Sequence, residues 1–323
     1  MDPQVAGLLQ MMAAQAAAAN VPPMWEQDAA TARAGAEVSF AAFNMPMPEG
    51  VAIADRTVPG PAGAIPVKVF TPQGTGPFPL LVYIHGGGWV IGSPATHARL
   101  CSELAGGAGC VVVSVDYRMA PENPAPAALD DCVAAIRYAV ANAAEFGADG
   151  SRFAIGGDSA GGNLTAAAAL KLRDEGGPQA KLLLLYYGAY TGDLNLPSVI
   201  ENGEGKILTR QAMEWFYGHY LSGGATTDDP YIAPIKGNLA GLPAALLIVG
   251  TQDPLLDDSK QFAKALEAAG VPAKLSIYQD QVHVFVQLTA MLDGAKAAMA
   301  ESIEALKVAL APQAASVAST AGG

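Results

Sequence analysis

The chain has 323 residues, which is long enough for one large α/β domain or two smaller ones. Hydrophobic residues make up 51% of the chain, so a sizeable buried core is expected. The formal net charge of −12 argues against nucleic acid and anionic membrane surfaces as partners. The three cysteines, Cys101, Cys110 and Cys132, lie in apolar sequence and are expected to be buried free thiols.

The amino-terminal segment contains an apolar stretch, residues 8–12, that superficially resembles a secretory signal peptide. The positively charged region of such a signal is missing, and Asp2 stands in its place. Helices at residues 3–20 and 26–43 are the better interpretation. No segment approaches the ~20 apolar residues that a membrane span requires. The sequence therefore predicts a soluble, cytoplasmic protein without stable membrane association.

From residue 51 onwards, apolar runs alternate with helical patterns. Strands are predicted at residues 51–58, 64–70, 79–84, 111–115, 153–155, 182–187, 245–249 and 274–278, and helices at residues 126–144, from 160 onwards, 259–269 and 286–310. Repeated β-α units predict an α/β fold with a mostly parallel sheet covered by helices on both faces. A polar segment, residues 189–228, interrupts the alternation with one predicted helix and is called the insertion below. The tail, residues 312–323, is expected to be disordered.

The motif Gly157-x-Ser159-x-Gly161 lies between a predicted strand and the helix that starts at Ala160. A serine hydroxyl that acts as a nucleophile must stand free of its own backbone, so the chain has to turn sharply there. Glycines on either side remove the Cβ atoms that would clash as the strand and the helix close together. In this context the motif predicts a nucleophile elbow.

Three further loops follow predicted strands and should open at the same edge of the sheet, because the carboxyl ends of parallel strands meet there. Residues 85–89, called the glycine loop below, have the sequence His-Gly-Gly-Gly-Trp. The N–H groups of successive glycines can converge on an oxyanion, as acyl transfer requires. A flexible turn is the alternative interpretation. His85 is expected to hold the loop through hydrogen bonds rather than act as a base.

The other two loops contain Asp253 and His283. Along the chain, Ser159, Asp253 and His283 follow the order of nucleophile, acid and base in hydrolases of this kind. In that arrangement His283 takes the serine proton, and Asp253 fixes the tautomer of the imidazole.

Several other polar residues are expected to have structural roles. Asp257 and Asp258 are predicted to cap the helix that follows them or to occupy its first turn. His97 is expected to be a hydrogen-bond partner near a helix start, and His219 a packing or surface residue. No histidine or cysteine spacing is typical of a metal site, so no metal is predicted.

Taken together, these segments resemble one family. The motifs HGGGW at 85–89, DYRMAPE at 116–122, GDSAGG at 157–162, DPLLD at 253–257 and then His283 are similar to those of the hormone-sensitive-lipase-like (bacterial family IV) carboxylesterases. The resemblance implies an α/β-hydrolase fold that cleaves small carboxylic esters of short to medium acyl chain without a cofactor. It implies cap helices at residues 1–45, a core at residues 46–188 and 229–311, and the insertion as the rest of the cap. It also suggests a homodimer through the edge strand near residues 274–278.

The resemblance assigns the site residues as well. Ser159, Asp253 and His283 match the triad. The backbone N–H groups of Gly87, Gly88 and Ala160 match the oxyanion hole, with Gly86 as a further contributor. Candidates for the substrate pocket are Trp89, Asp158, Tyr187, Trp215, Phe216 and Tyr220, with packing inside the cap as the alternative for Trp89, Trp215, Phe216 and Tyr220. Asp116, Tyr117, Arg118 and Glu122 match a motif that is expected to buttress the site through buried ion pairs.

Some positions depart from the family pattern. Asp280 and Val284 stand where the family usually or often has glycine, and Tyr187-Gly188 replaces a commoner Tyr-Pro pair. The carboxylate of Asp280 is expected either to perturb the pKa of His283 or to face solvent. These departures bear on pocket shape and pH optimum rather than on the reaction class.

Two alternative functions remain open. The same triad can hydrolyse amides, carbamates or formamides. A non-catalytic ligand-binding protein on this fold is the second alternative, as in plant hormone receptors that resemble the family. Such receptors lack the base, whereas this chain retains His283.

Overall fold

The computed structural model describes residues 1–312 of the chain. The strands are β1 (Val51–Gly60), β2 (Gly63–Pro72), β3 (Phe78–Ile84), β4 (Val111–Val115), β5 (Ala148–Asp158), β6 (Leu183–Tyr186), β7 (Ala245–Gly250) and β8 (Ala273–Tyr278). The helices are α1 (Pro3–Ala19), α2 (Ala29–Ala41), α3 (Ala98–Ala108), α4 (Ala127–Ala141), α5 (Ala160–Asp174), α6 (Pro197–Asn202), α7 (Arg210–Tyr220), α8 (Leu256–Ala268) and α9 (Asp293–Ala309). The predicted disordered tail, apart from Pro312, lies outside the described residues.

The strands form one sheet in the order β1-β2-β4-β3-β5-β6-β7-β8. The first three pair antiparallel, and all pairs from β4 to β8 are parallel. The predicted α/β class and the mostly parallel sheet are therefore confirmed. Because β3, β5, β7 and β8 run in the same direction, the loops that follow them open at one edge of the sheet.

The core lies on both faces of the sheet, which explains the continuous apolar runs of the central strands. Along β3, Leu80, Val82 and Ile84 pack with α4, α5 and α8 on one face. Leu81 and Tyr83 pack with α3 and α9 on the other face. Successive side chains of a strand point to opposite faces, so one apolar run supplies both halves of the core.

The helical predictions were incomplete at three places. A helix start near His97 was expected but no range was assigned to α3, α6 was not predicted, and the last helix begins at Asp293 rather than at residue 286. Residues 285–287 form a 3₁₀ turn instead. Phe285 and Val286 are fully buried in the core cluster that contains α9, so tertiary packing overrides the helical pattern of this apolar run.

The amino-terminal helices pack on the sheet domain at two separate places. Val5 and Leu8 of α1 join the core cluster that contains α3 and α9. Helix α2 packs against the opposite cluster, and Arg33 donates hydrogen bonds to the carbonyl oxygens of Val90 and Ala120 at 2.9 and 3.1 Å. Within residues 1–312, no helix is long and apolar enough to cross a membrane.

The close approach of α5 to the sheet yields a stability prediction. A Cβ atom at Gly161 would overlap the carbonyl oxygen of Ile84 and lie 2.6 Å from that of His85. We expect Gly161→Ala to lower the thermal unfolding midpoint, since overpacking costs about 1–3 kcal/mol. Gly218→Ala is the matched control, because Gly218 is an exposed residue inside α7 with nothing near its Cβ position. This control should raise the midpoint slightly, as alanine favours helices over glycine. Equal effects of the two variants would contradict the packing argument.

Candidate active site

Ser159 lies on the sharp turn from β5 into α5. Its φ of 54° and ψ of −119° are strained for a residue other than glycine. The N–H of Ser159 donates to the carbonyl oxygen of Tyr186 at 2.9 Å, which ties the turn to β6. Helix α5 starts at Ala160, so its first N–H groups have no acceptor within the helix and stand beside the serine. The predicted elbow is confirmed in its backbone conformation.

The three candidate triad residues are hydrogen-bonded to one another. The Nε2 atom of His283 lies 2.9 Å from the Oγ atom of Ser159, and its Nδ1 atom lies 2.8 Å from Oδ2 of Asp253. The second oxygen of Asp253 accepts the N–H of Leu255 at 2.8 Å. Asp253 and His283 are 0% and 4% exposed. An ionised Asp253 requires the proton on Nδ1, which leaves Nε2 free to take the serine proton.

The glycine loop adopts conformations that favour glycine. The φ angles are 116° at Gly87 and 58° at Gly88, and a Cβ atom at Gly87 would overlap the carbonyl oxygen of Ile91. No acceptor for the N–H of Gly87 or Gly88 is found among the described residues. These two groups and the N–H of Ala160 therefore remain the candidate oxyanion donors.

Gly86 does not fit the predicted role as a further oxyanion donor. Its N–H donates to Oδ1 of Asp158 at 3.0 Å. A single N–H has one proton, so this donor is already used inside the protein. The prediction for Gly86 is corrected accordingly, and Gly86 instead anchors the glycine loop.

Asp158 lies behind the glycine loop, and its side chain is only 1% exposed. Besides Gly86, its carboxylate accepts a hydrogen bond from the hydroxyl of Tyr83 at 2.8 Å and contacts His97 and Gln287. With four protein partners, this carboxylate holds the loop and has no surface left for substrate. The structure does not bring Asp158 into a pocket position.

His85 and His97 have the structural roles that the sequence analysis expected. The Nδ1 atom of His85 donates to the carbonyl oxygen of Gly86 at 2.8 Å, and its ring stacks on that of Tyr117 with a centroid distance of 4.3 Å. Burial lowers the pKa of His85 to about 3, so this imidazole is neutral. The hydroxyl of Tyr117 donates to the carbonyl oxygen of His85 at 2.9 Å and fixes the start of the loop.

The ion pairs of the 116–122 motif differ in part from the expectation. Arg118 forms a bidentate pair with Asp131 of α4, which lies outside the motif, at 2.8 Å from each carboxylate oxygen. Glu122 pairs with Arg33 of α2 at 2.9 Å, but its side chain is 55% exposed. The motif therefore supports the site through Tyr117 and through ties to neighbouring helices, and the pair at Glu122 is not buried.

Aromatic side chains of α7 pack on the glycine loop. Trp89 has a φ of 61° and stacks on Tyr220 at 4.3 Å with an interplanar angle of 4°. The ring of Phe216 lies directly against Gly88, where a Cβ atom would overlap it. Trp215 packs edge-on against Phe216 and His219 at 5.3 and 4.4 Å. Packing is thus the observed role of Trp89 and Tyr220, whereas Phe216 lies beside the candidate oxyanion donors.

Tyr187 contacts the base. Its ring meets the imidazole of His283 edge-on at a centroid distance of 4.8 Å. Its φ of 37° is unusual for a bulky residue. The side chain is fully buried, so it supports His283 from within the core.

The two departures near the base share a backbone conformation. Asp280 and Val284 both have a φ of 61°, in the left-handed region that favours glycine. The side chain of Asp280 is 29% exposed and lies 3.5 Å from the α-amino group of Met1. Asp280 is therefore partly exposed and pairs with the amino terminus. At Val284 a β-branched residue is held in a strained conformation next to His283.

Contacts that the sequence did not predict join the insertion to the core. The side-chain amide of Asn163 donates to the carbonyl oxygens of Ala189 and Ile232 at 2.7 and 2.8 Å. Asp258 accepts three hydrogen bonds, each of 2.9 Å, from the N–H groups of Tyr190 and Thr191 and the hydroxyl of Thr191. Asp258 does lie in the first turn of α8 as predicted, but its partners are far away in sequence, and no local pattern could indicate them.

Asp257 occupies the same first turn and also reaches the insertion. Its carboxylate accepts the N–H of Ser198 at 2.9 Å. The residue before the helix is Leu255, so neither aspartate is the N-cap.

In the part of the chain that the structure describes, no group of three or more His, Cys, Asp or Glu side chains could hold a metal ion.

A serine on a strand-to-helix turn of a mostly parallel sheet, with a histidine and an aspartate on later loops, defines an α/β hydrolase. In agreement, a family model described as alpha/beta hydrolase fold matches residues 81–287. Similar proteins include carboxylesterase NlhH of Mycobacterium tuberculosis, which is 43% identical over 76% of this chain and 79% of its own. Ethyl acetate hydrolase of Pseudomonas putida is 34% identical over 95% of this chain and 98% of its own.

Among solved structures, a hyperthermophilic esterase of Pyrobaculum calidifontis matches with a TM-score of 0.89 and 35% identity, over 95% of this chain and 98% of its own. The chain belongs to the hormone-sensitive-lipase-like carboxylesterase family of α/β hydrolases.

Asp258 yields a prediction about pH. Burial raises its pKa to about 7, although hydrogen bonds from Thr191 and Tyr190 act against this. The folded protein then retains a proton that the unfolded chain, with a carboxyl pKa of about 3.9, has released. Stability should therefore fall as pH rises from about 4 to about 7. Asn cannot titrate, so the melting temperature of Asp258→Asn relative to wild type should increase between about pH 5 and pH 8.

The matched control is Asp257→Asn, at the neighbouring carboxylate, which is less buried. Differential scanning calorimetry at both pH values measures the two differences in melting temperature. A flat difference for Asp258→Asn, or the same trend in both variants, would contradict the assignment of this titration to Asp258.

Proposed function

We propose that the protein is a serine carboxylesterase that hydrolyses small esters of short to medium acyl chain. The observation that carries the proposal is the hydrogen-bonded chain from Ser159 through His283 to Asp253. Unused backbone N–H groups of Gly87, Gly88 and Ala160 open at the same edge of the sheet. Nucleophile, base and oxyanion donors are the complete set that acyl transfer needs.

The reaction proceeds in two halves. The Oγ atom of Ser159 attacks the ester carbonyl carbon while Nε2 of His283 takes the hydroxyl proton. The oxyanion is stabilised by the backbone donors, and losing one such donor typically costs about 3–4 kcal/mol. As the tetrahedral intermediate collapses, the bond to the alkoxy oxygen breaks and His283 gives its proton to the departing alcohol. A water molecule activated by His283 then attacks the acyl-enzyme and releases the acid.

The insertion and residues 1–45 form a cap over this site in the proposal. Helix α7 supports it, because Phe216 lies against Gly88 and Tyr220 stacks on Trp89. Aromatic rings this close to the oxyanion donors leave limited room for an acyl chain, which favours small substrates. The printed name of the Pseudomonas putida relative, an ethyl acetate hydrolase, agrees with that size range.

The alternative functions have less support. An amide or carbamate hydrolase would use the same triad, and the named relatives are carboxylesterases and ester hydrolases. A non-catalytic binding protein has no need for a serine, histidine and aspartate in hydrogen-bonding contact. Residence in the cytoplasm and a homodimer through β8, which lies at one edge of the sheet, stay predictions.

The nucleophile is tested by Ser159→Ala with p-nitrophenyl acetate, butyrate, octanoate and palmitate. We expect wild type to turn over the shorter esters, and the variant to lose at least ~10³-fold in kcat/KM, because no other group can form the acyl-enzyme. Ser222→Ala, at an exposed serine of the insertion, is the control and should retain activity. Full turnover by a folded Ser159→Ala protein would remove Ser159 as the nucleophile. An inert wild type would favour the amidase or the binding protein.

The role of Phe216 in substrate size is tested by Phe216→Ala. Removing the ring opens space beside Gly88, so kcat/KM for the octanoate ester should rise about tenfold relative to the butyrate ester. Trp215→Ala provides the comparison, since that ring packs on His219 as well. An unchanged octanoate-to-butyrate ratio in Phe216→Ala would show that Phe216 does not set the acyl length.

A further inference from the structure

Three buried polar side chains meet behind the glycine loop: His97, Asp158 and Gln287. Each is 5% exposed or less. The Nε2 atom of Gln287 lies 2.8 Å from Nε2 of His97 and 3.0 Å from Oδ2 of Asp158. The Nε2 atom of His97 lies 3.2 Å from the same carboxylate oxygen. Nothing in the triad chemistry accounts for this cluster.

The three residues come from three segments whose relative positions matter for catalysis. Asp158 directly precedes the nucleophile and accepts the N–H of Gly86 in the glycine loop. Gln287 follows the base, His283, by four residues and ends the 3₁₀ turn of that loop. His97 precedes α3, behind the glycine loop. The cluster therefore joins the elbow, the glycine loop and the loop of the base.

Two arrangements compete at Nε2 of His97 when Asp158 is ionised. A proton on Nε2 would donate to Oδ2 of Asp158 at 3.2 Å, whereas the amide nitrogen of Gln287 at 2.8 Å requires a lone pair there. The shorter contact favours the second arrangement. The amide nitrogen of Gln287 has two hydrogens and no lone pair to offer, so one hydrogen serves Asp158 and the other faces His97. The Nε2 atom of His97 must then carry a lone pair rather than a proton. A proton on that atom would place two donors face to face at 2.8 Å.

The other side of the His97 ring agrees with this arrangement. Its Nδ1 atom lies 2.8 Å from Oγ1 of Thr96 and 3.2 Å from the carbonyl oxygen of Ser93. The hydroxyl of Thr96 donates to that same carbonyl at 2.8 Å and accepts the N–H of Ser93 at 3.0 Å, which leaves its oxygen one lone pair for Nδ1. Both neighbours thus accept a proton from Nδ1. Asp158 favours the opposite state: although burial disfavours the imidazolium, the charge of Asp158 and its hydrogen bond with the ring raise the pKa of His97.

We propose that Gln287 is a positioning residue for the esterase reaction, whose amide keeps His97 in its neutral Nδ1–H form and so leaves the Asp158 carboxylate to hold Gly86. The effect of this inference on catalysis rests on the proposed function. Without the amide, Nε2 of His97 acquires a proton and pairs with Asp158 directly. The carboxylate is then drawn from Gly86 and Tyr83, and the donors of the glycine loop lose their alignment with Ser159.

The first test is spectroscopic and does not depend on activity. In protein with ¹⁵N-labelled histidine at about pH 8, the Nε2 atom of His97, identified by loss of its signal in His97→Asn, should have the chemical shift of a nitrogen without a proton. In Gln287→Met, which keeps the side-chain length and removes both hydrogen bonds, the same atom should become protonated. If Gln287→Met does not fold, Gln287→Leu takes its place, because leucine also removes both hydrogen bonds.

The matched control is Gln281→Met. Gln281 is a buried glutamine of the same loop, and its amide donates to the carbonyl oxygen of Gln279 rather than to this cluster. The His97 signal should be unchanged in this variant. A proton on Nε2 in wild type, or an unaltered tautomer in Gln287→Met, would overturn the proposal.

The second test measures kcat and KM separately. Oxyanion donors act mainly in the transition state, so Gln287→Met should lower kcat for p-nitrophenyl butyrate about tenfold and leave KM within about twofold. Gln281→Met should have neither effect. A normal kcat in Gln287→Met with an altered His97 tautomer would refute the positioning role. A wild type without ester turnover would instead refute the proposed function, and the spectroscopic result would still decide the state of His97.

Discussion

The close packing of α5 against the sheet is the constraint on which the rest of the site depends. Cβ atoms at Gly157 and Gly161 would overlap backbone atoms of the neighbouring segments, so the helix can approach only because both positions are glycine. The approach forces Ser159 into its positive φ. That conformation presents the hydroxyl to His283 and the N–H of Ala160 to the same space. Strain at one residue is stabilised here by a large buried contact around it.

The site loops meet at one edge of the sheet because of the strand topology, but the alignment of their catalytic groups depends on polar contacts. Parallel strands place the glycine loop, the elbow, the acid and the base side by side. Asp158 then fixes the loop through Gly86, and Leu255 fixes Asp253 through its N–H. These bonds lie in a region with almost no solvent, where a missing partner would cost about 1–3 kcal/mol. The positions of the glycine loop and of Asp253 are therefore fixed by buried hydrogen bonds outside the Ser159–His283 contact.

A structural feature could be predicted from the sequence when the residues that determine it are close together along the chain. The sheet, the elbow and the order of Ser159, Asp253 and His283 were predicted because apolar runs, glycine spacing and strand ends are local signals. A helix start near His97 was expected, but no range was assigned to α3, whose sequence contains Gly106 and Gly107, which weaken a helical pattern. The start of α9 was placed too early because the apolar run before it packs in the core as a turn. The partners of Asp258, Asn163 and Gln287 lie 26 or more residues away in sequence, and no pattern along the chain contains that information.

The proposed acyl pocket and the candidate oxyanion donors share contacts with helix α7. The same face of α7 contributes Phe216, which lies on Gly88, and Tyr220, which stacks on Trp89 immediately after it. Trp89 has a positive φ, so the backbone of the glycine loop is held by an aromatic contact outside the core sheet. A residue that reshapes the pocket from α7 therefore also acts on the backbone donors. Tight packing transmits such changes, since interiors have few voids to absorb them. Substitutions on α7 that change acyl preference should therefore also change kcat. Substitutions on the far side of the pocket can change acyl preference without changing kcat.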